Sequence, residues 1–201
     1  MIRKMIKSKI LAKLFLIVFS CLFSVSFFAC KSTTEDYPVI KKASDFTLIN
    51  QDNEQVSLNQ FSDKIVFLSF IYIRCPSPKM CPLTTKNFQR IQESLEADLS
   101  DNVVFLIITF DPETDTPEAL KRYGEMYGTD FHNWHFLTGD VPAIDKVCED
   151  YGIIHERKED GLIRHSVKAL LIDQKNHVRK IYIGNQWTPE EIKEDIIKLL
   201  D

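Results

Sequence analysis

Two stretches of the chain carry apolar residues on both alternating faces, Lys64 to Ile73 (KIVFLSFIYI) and Val103 to Phe110 (VVFLIITF). Runs of this kind suit strands buried on both sides of a sheet that helices cover. Between them Leu83, Phe88, Ile91, Leu95 and Leu99 keep a near-helical spacing, which predicts a crossover helix joining two parallel strands. Upstream, DFTLINQDNEQVSL reads as two short strands around the turn residues Gln51-Asp52-Asn53, so a β-hairpin opens the domain.

Further along, Thr116-Pro117-Glu118 supplies an N-cap with proline at the first helical position, and Leu120, Tyr123 and Tyr127 mark one helix face. Trp134 to Thr138 predicts a short strand. A helix follows from about Pro142 to Tyr151, with Ile144, Val147, Cys148 and Tyr151 on its buried side, where Cys148 reads as an inert core thiol. Val167 to Asp173 and Val178 to Ile183 predict an antiparallel hairpin across Gln174-Lys175-Asn176-His177, and Thr188-Pro189-Glu190-Glu191 starts a last helix with Ile192, Ile196, Leu199 and Leu200 inward. A β-hairpin, then β-α-β-α, then β-β-α is the order of a thioredoxin-like α/β domain with a central mixed sheet flanked by helices. The loop after the first long strand is that fold's usual functional position.

The first 29 residues differ in kind. Arg3, Lys4, Lys7, Lys9 and Lys13 occur without an acid, and Leu14 to Ala29 (LFLIVFSCLFSVSFFA) is uncharged. This is the pattern of an export signal, slightly short for a membrane span. Phe27-Phe28-Ala29-Cys30 resembles the lipobox of bacterial lipoproteins, with Cys30 as the lipidated first residue of the mature chain. Cys21 is the weaker candidate, since cleavage there leaves LFSVSFFA exposed. The expected organisation is a signal over 1–29, a tether over 30–43 and the thioredoxin-like domain over 44–201, held in the cell envelope by its lipid. Without the signal, 20 basic face 29 acidic residues, a net charge of −9. That balance argues against nucleic acid and favours cationic partners.

An exported compartment tends to find thiols paired, metal-bound or catalytic. In RCPSPKMCP, Pro76 and Pro78 block helix while Pro82 suits a first helical turn, leaving Cys81 beside the cap, where the helix dipole favours a thiolate. In one continuous helix a separation of six residues turns the side chains about 240° apart. A loop is therefore needed to bring Cys75 and Cys81 together. The pair admits three uses: a structural disulfide, a redox dithiol, or part of a soft-metal site. Two thiolates and one imidazole form a trigonal set suited to copper. Of the five histidines, His177 reads as a solvated turn residue, His155 stands at a strand end, and His132 and His135 flank Trp134 without a third ligand nearby. His165, in LIRHSVKALLID, precedes the strand of the last hairpin and so stands opposite the cysteine loop.

From about Asp45 onward the chain resembles the Sco/SenC/PrrC family of thioredoxin-like copper proteins. The resemblance rests on Cys75, Cys81-Pro82, FDPETDTPEALKRYG (110–124), LTGD (137–140) and His165-Ser166 ahead of LLID. It implies copper, as Cu(I) or Cu(II), on Cys75, Cys81 and His165, with the Asp111 carboxylate close by to orient the imidazole or balance charge. It also implies a copper chaperone that delivers copper to a respiratory oxidase copper subunit or keeps its copper-site thiols reduced, or that serves another exported cuproprotein. Such delivery is ligand exchange rather than turnover, so the chain is not classed as an enzyme. The chain departs from the common C-x-x-x-C spacing by two residues, and Met80 in the longer loop is a possible extra soft contact. The alternative is a thiol-disulfide oxidoreductase; against a standard thioredoxin stand the missing C-x-x-C and the lack of any proline between Ala143 and Thr188.

Overall fold

The computed structural model describes residues 37–200. The export signal and the lipidation candidate Cys30 lie outside the described residues. The strands are β1 (Lys41–Lys42), β2 (Thr47–Asn50), β3 (Gln55–Ser57), β4 (Ile65–Ile71), β5 (Val103–Thr109), β6 (Trp134–Thr138), β7 (His155–Arg157), β8 (Ile163–His165), β9 (Lys168–Ile172) and β10 (His177–Ile183). The helices are α1 (Cys81–Ser94), α2 (Ala97–Ser100), α3 (Pro117–Met126), α4 (Val141–Tyr151) and α5 (Pro189–Leu200), with a 3-10 turn over Leu58–Phe61. Eight of the strands form one sheet in the order β1-β10-β9-β4-β5-β6-β2-β3, while β7 and β8 form a separate ribbon.

The two apolar runs became the sheet's centre. β4 and β5 pair in parallel from Ile65↔Val103 to Ile71↔Thr109, and every residue of both is buried. Successive side chains of a strand face opposite sides. Phe67 accordingly stacks on Phe88 of α1, with ring centroids 4.4 Å apart, while Phe70 on the other face meets Tyr151 of α4. Both faces of β4 are thus covered by helices, the thioredoxin-like arrangement that the pattern implied.

Two boundaries differ from expectation. The crossover helix stops at Ser94, and Leu99 belongs to the short α2. Part of the expected tether belongs to the sheet: Lys41 and Lys42 pair with Val178 and His177, and Ala43 is buried. Ahead of them the Tyr37 hydroxyl bonds the Asp195 carboxylate, and Arg179 donates to the Tyr37 carbonyl. Two lysines carry no apolar signal, so an edge strand held by backbone hydrogen bonds was invisible in the sequence.

Candidate metal centre

After β4, the chain passes through Tyr72-Ile73-Arg74 and turns at Cys75, whose N–H donates to the Tyr72 carbonyl at 3.3 Å. Pro76 and Pro78 keep the next residues out of a helix. α1 then begins at Cys81, with Pro82 in its first turn. No side chain caps this helix. Its entry is instead fixed by Asn185, from the loop after β10, whose amide donates to the Lys79 and Met80 carbonyls at 3.0 and 3.1 Å and accepts from Thr84.

The loop folds back as the six-residue spacing required. His165 Nε2 lies 3.5 Å from the Cys81 sulfur and 3.9 Å from the Cys75 sulfur, and the three donor atoms all lie within 4.8 Å of one another. His165 Nδ1 faces the Ser166 carbonyl at 3.1 Å. The tautomer that this contact selects leaves the Nε2 lone pair aimed at the sulfurs. Phe110 and Tyr72 hold the ring, with centroids at 4.7 and 5.6 Å. Donors bound at about 2.0–2.3 Å to one trigonal ion stand roughly 3.5–4.0 Å apart. The sulfur–nitrogen separations observed here fall in that range, so the donor set fits a single soft ion.

The sequence profile of the family described as SCO1/SenC matches residues 35–201. The chain belongs to the SCO1/SenC family. Among solved structures, a SCO1/SenC family lipoprotein from Bacillus anthracis str. Ames superposes with a TM-score of 0.73 at 28% identity, over 82% of this chain and 98% of that one. BsSco, a member of the Sco family of cytochrome c oxidase assembly proteins in which a disulfide switch was identified, gives 0.69 at 28%, over 81% and 95%. Bradyrhizobium japonicum ScoI with copper bound gives 0.68 at 23%, over 79% and 99%, a likeness of fold.

In this SCO1/SenC protein the two thiols share one proton. Cys75 is drawn down to about 4 by the hydrogen bond from the Cys81 thiol, against its own burial. Cys81 is pushed up by the same hydrogen bond and by burial, being 1% exposed against 9% for Cys75. The thiolate therefore sits on Cys75, not on Cys81 as the helix-terminus argument expected. A helix dipole contributes about 0.3–1 kcal/mol, whereas full burial moves a pKa by up to about 3–5 units.

The Asp111 carboxylate is fully buried and bonds two arginines rather than the imidazole itself. Oδ2 accepts from Arg74 at 2.9 Å and Oδ1 from Arg157. It balances charge beside Cys75, through Arg74. Met80 lines, with Tyr72, Pro76, Ser77 and Leu162, a mouth of about 210 Å³ that opens onto Cys75 and His165.

The other candidates do not join the centre. Cys148 is buried in α4, its thiol pushed up to about 12 by burial. His132 faces Asp101, His135 stacks on Phe61, His155 faces Asp145 and His177 faces Asp173. Sequence reasoning missed Arg74, Arg157 and Asn185, and it missed the β7–β8 ribbon that delivers His165. The ribbon had a signal, because Asp160-Gly161 is a strong hairpin turn and Gly161 takes φ +80°. The arginines and Asn185 had none.

Proposed function

We propose that this chain is a copper chaperone that carries copper on Cys75, Cys81 and His165 from a lipid-anchored position in the bacterial cell envelope. Its recipient is the copper subunit of a respiratory oxidase or another exported cuproprotein. The observation that carries the reading is the convergence of two sulfurs and one imidazole nitrogen within 4.8 Å. Thiolates retain Cu(I), and the nitrogen accommodates Cu(II). The mouth over Cys75 and His165 leaves one side of the centre open, so a recipient's ligand can enter as the chaperone's own ligands leave. The oxidase is supported by the BsSco likeness. The anchor is supported by the signal pattern before Cys30 and by the lipoprotein from Bacillus anthracis.

Anaerobic titration of the reduced protein is expected to give one copper bound per chain, with Cys75→Ser losing it. His165→Ala keeps Cu(I) on two sulfurs and loses the wild-type Cu(II) visible spectrum. Identical Cu(II) spectra for wild type and His165→Ala would remove the histidine from the site. For the anchor, Cys30→Ser should end labelling by a palmitate analogue; persistent labelling defeats that part.

One observation favours a second reading, a thiol-disulfide oxidoreductase acting on exported proteins. The two thiols face each other and one is held as a thiolate. Disulfide reductase turnover that survives both His165→Ala and a copper chelator would select it.

A further inference from the structure

We infer that Arg157 is a positioning residue for His165, acting through a bridge that runs from Arg74 to the buried Asp111 carboxylate to Arg157. The inference rests on the copper reading above. His165 is not carried by the main sheet. It ends β8, whose only strand partner among the described residues is β7, with His155↔His165, Glu156↔Arg164 and Arg157↔Ile163 in register. A two-stranded ribbon is marginal by itself. Its position against the cysteine loop therefore depends on what ties it down.

Besides the buried Ile163 side chain and Phe110, which packs on the His155 and His165 rings, three polar ties hold the ribbon. The Tyr72 hydroxyl accepts from the Ile163 N–H at a long 3.4 Å, and His155 faces the exposed Asp145 at 3.5 Å. The third is the bridge. Arg157 reaches in from β7 to Asp111 Oδ1, and it also stands 3.6 Å from Glu113. Asp111 Oδ2 accepts from Arg74, the residue before Cys75, and Arg74 further donates to the Thr114 hydroxyl at 2.9 Å. One carboxylate thus joins the sulfur side of the centre to the nitrogen side. Asp111 is fully buried beneath the two arginines, so losing one leaves the carboxylate with a single cation and frees the element that the lost arginine tied. A lysine cannot reproduce the planar fork.

The two oxidation states separate this role from a general structural one. Cu(I) is satisfied by the two thiolates of the cysteine loop, whereas Cu(II) depends on the imidazole that the ribbon presents. Loosening the ribbon therefore weakens Cu(II) selectively.

The test uses Arg157→Gln, Arg157→Lys and, as control, Lys121→Gln, which removes an exposed ion pair with Asp52 outside the centre. In the reduced, metal-free protein, Arg157→Gln should speed hydrogen exchange at the β7 and β8 amides and leave β4 and β5 unchanged. Its Cu(II) affinity should fall by about 10–100-fold, the usual effect of removing an outer partner of a metal ligand, with Cu(I) affinity unchanged. Arg157→Lys should lie between wild type and Arg157→Gln, and Lys121→Gln should match wild type. Wild-type exchange in Arg157→Gln, an equal loss of Cu(I) and Cu(II), or the same harm from Lys121→Gln overturns the inference. If the wild type binds no copper, the copper reading fails, and the exchange measurement still decides whether the bridge holds the ribbon.

Discussion

His165 presents its Nε2 to the sulfur of Cys81 from 3.5 Å, although 84 residues separate the two in the chain. Neither side chain is placed by its own neighbours alone. Cys81 starts a helix whose entry Asn185 fixes from the far end of the domain, and His165 ends a ribbon held to the body by Arg157 and Tyr72. The donor triangle is therefore set by contacts distant in the chain.

The proton shared by the two thiols should be visible in their chemistry. An ordinary thiol titrates near 8.5. Cys75, drawn down to about 4, should react with iodoacetamide at pH 6 ahead of Cys81 and Cys148. Peptide mapping after limited alkylation reads the order directly. Modification of Cys81 first would place the thiolate on the wrong residue.

Asp115 lies buried beneath the end of β4. It accepts from the Ile73 N–H at 3.1 Å and from the Thr109 hydroxyl, while its Oδ1 has no partner. Burial, with Asp111 adding, holds its pKa up at about 6. The folded form then binds this proton more tightly than the unfolded chain, whose carboxyl titrates near 3.9. The associated stability is fully present below about pH 4 and lost as pH rises through 6. From urea unfolding, the stability of wild type minus that of Asp115→Asn should therefore fall between pH 4 and pH 7, by at most about 3 kcal/mol. A difference independent of pH would show that Asp115 titrates normally.

Gly124 on α3 has no room for a side chain. A Cβ there would stand 2.8 Å from both Phe131 Cζ and Phe136 Cε2. Alanine normally gains about 1 kcal/mol over glycine inside a helix. Two simultaneous ring contacts put overpacking toward the upper part of its usual range of about 1–3 kcal/mol, so Gly124→Ala should lower the melting temperature. An unchanged or raised melting temperature would mean the rings move aside freely.

Removing the amide of Asn185 takes a donor from the Lys79 carbonyl, while the Met80 carbonyl keeps the Thr84 N–H. Unsatisfied groups of this kind cost about 1–3 kcal/mol each when buried. Because the Met80 end of the loop is only partly buried, Asn185→Ala should fall at the low end in stability, yet it should lower copper affinity by moving Cys81. Calorimetry paired with copper titration separates the two effects. Full copper affinity in a destabilised variant would leave Asn185 a purely structural anchor.

Much of the domain was legible without coordinates. The runs 64–73 and 103–110 have no polar face to turn toward water, which leaves the middle of a covered sheet as their place. The prolines at 76, 78 and 82 divide the cysteine segment into loop and helix by steric rules that act within a few residues. Local exclusion and side-chain periodicity were enough for the central strands and the long helices, and hence for which loop carries the thiols, but not for β1 or the β7–β8 ribbon.

What the sequence could not express is anything decided by a partner distant in the chain. Lys41 and Lys42 join the sheet through backbone groups that every residue shares, and Arg157 has the same side chain whether it faces water or Asp111. Which thiol keeps the proton is another such matter, because helix position favours Cys81 while burial and the neighbouring sulfur favour ionising Cys75. Local patterns fix elements, since their energies are local. The centre itself depends on which groups are desolvated together, and only the folded chain determines that.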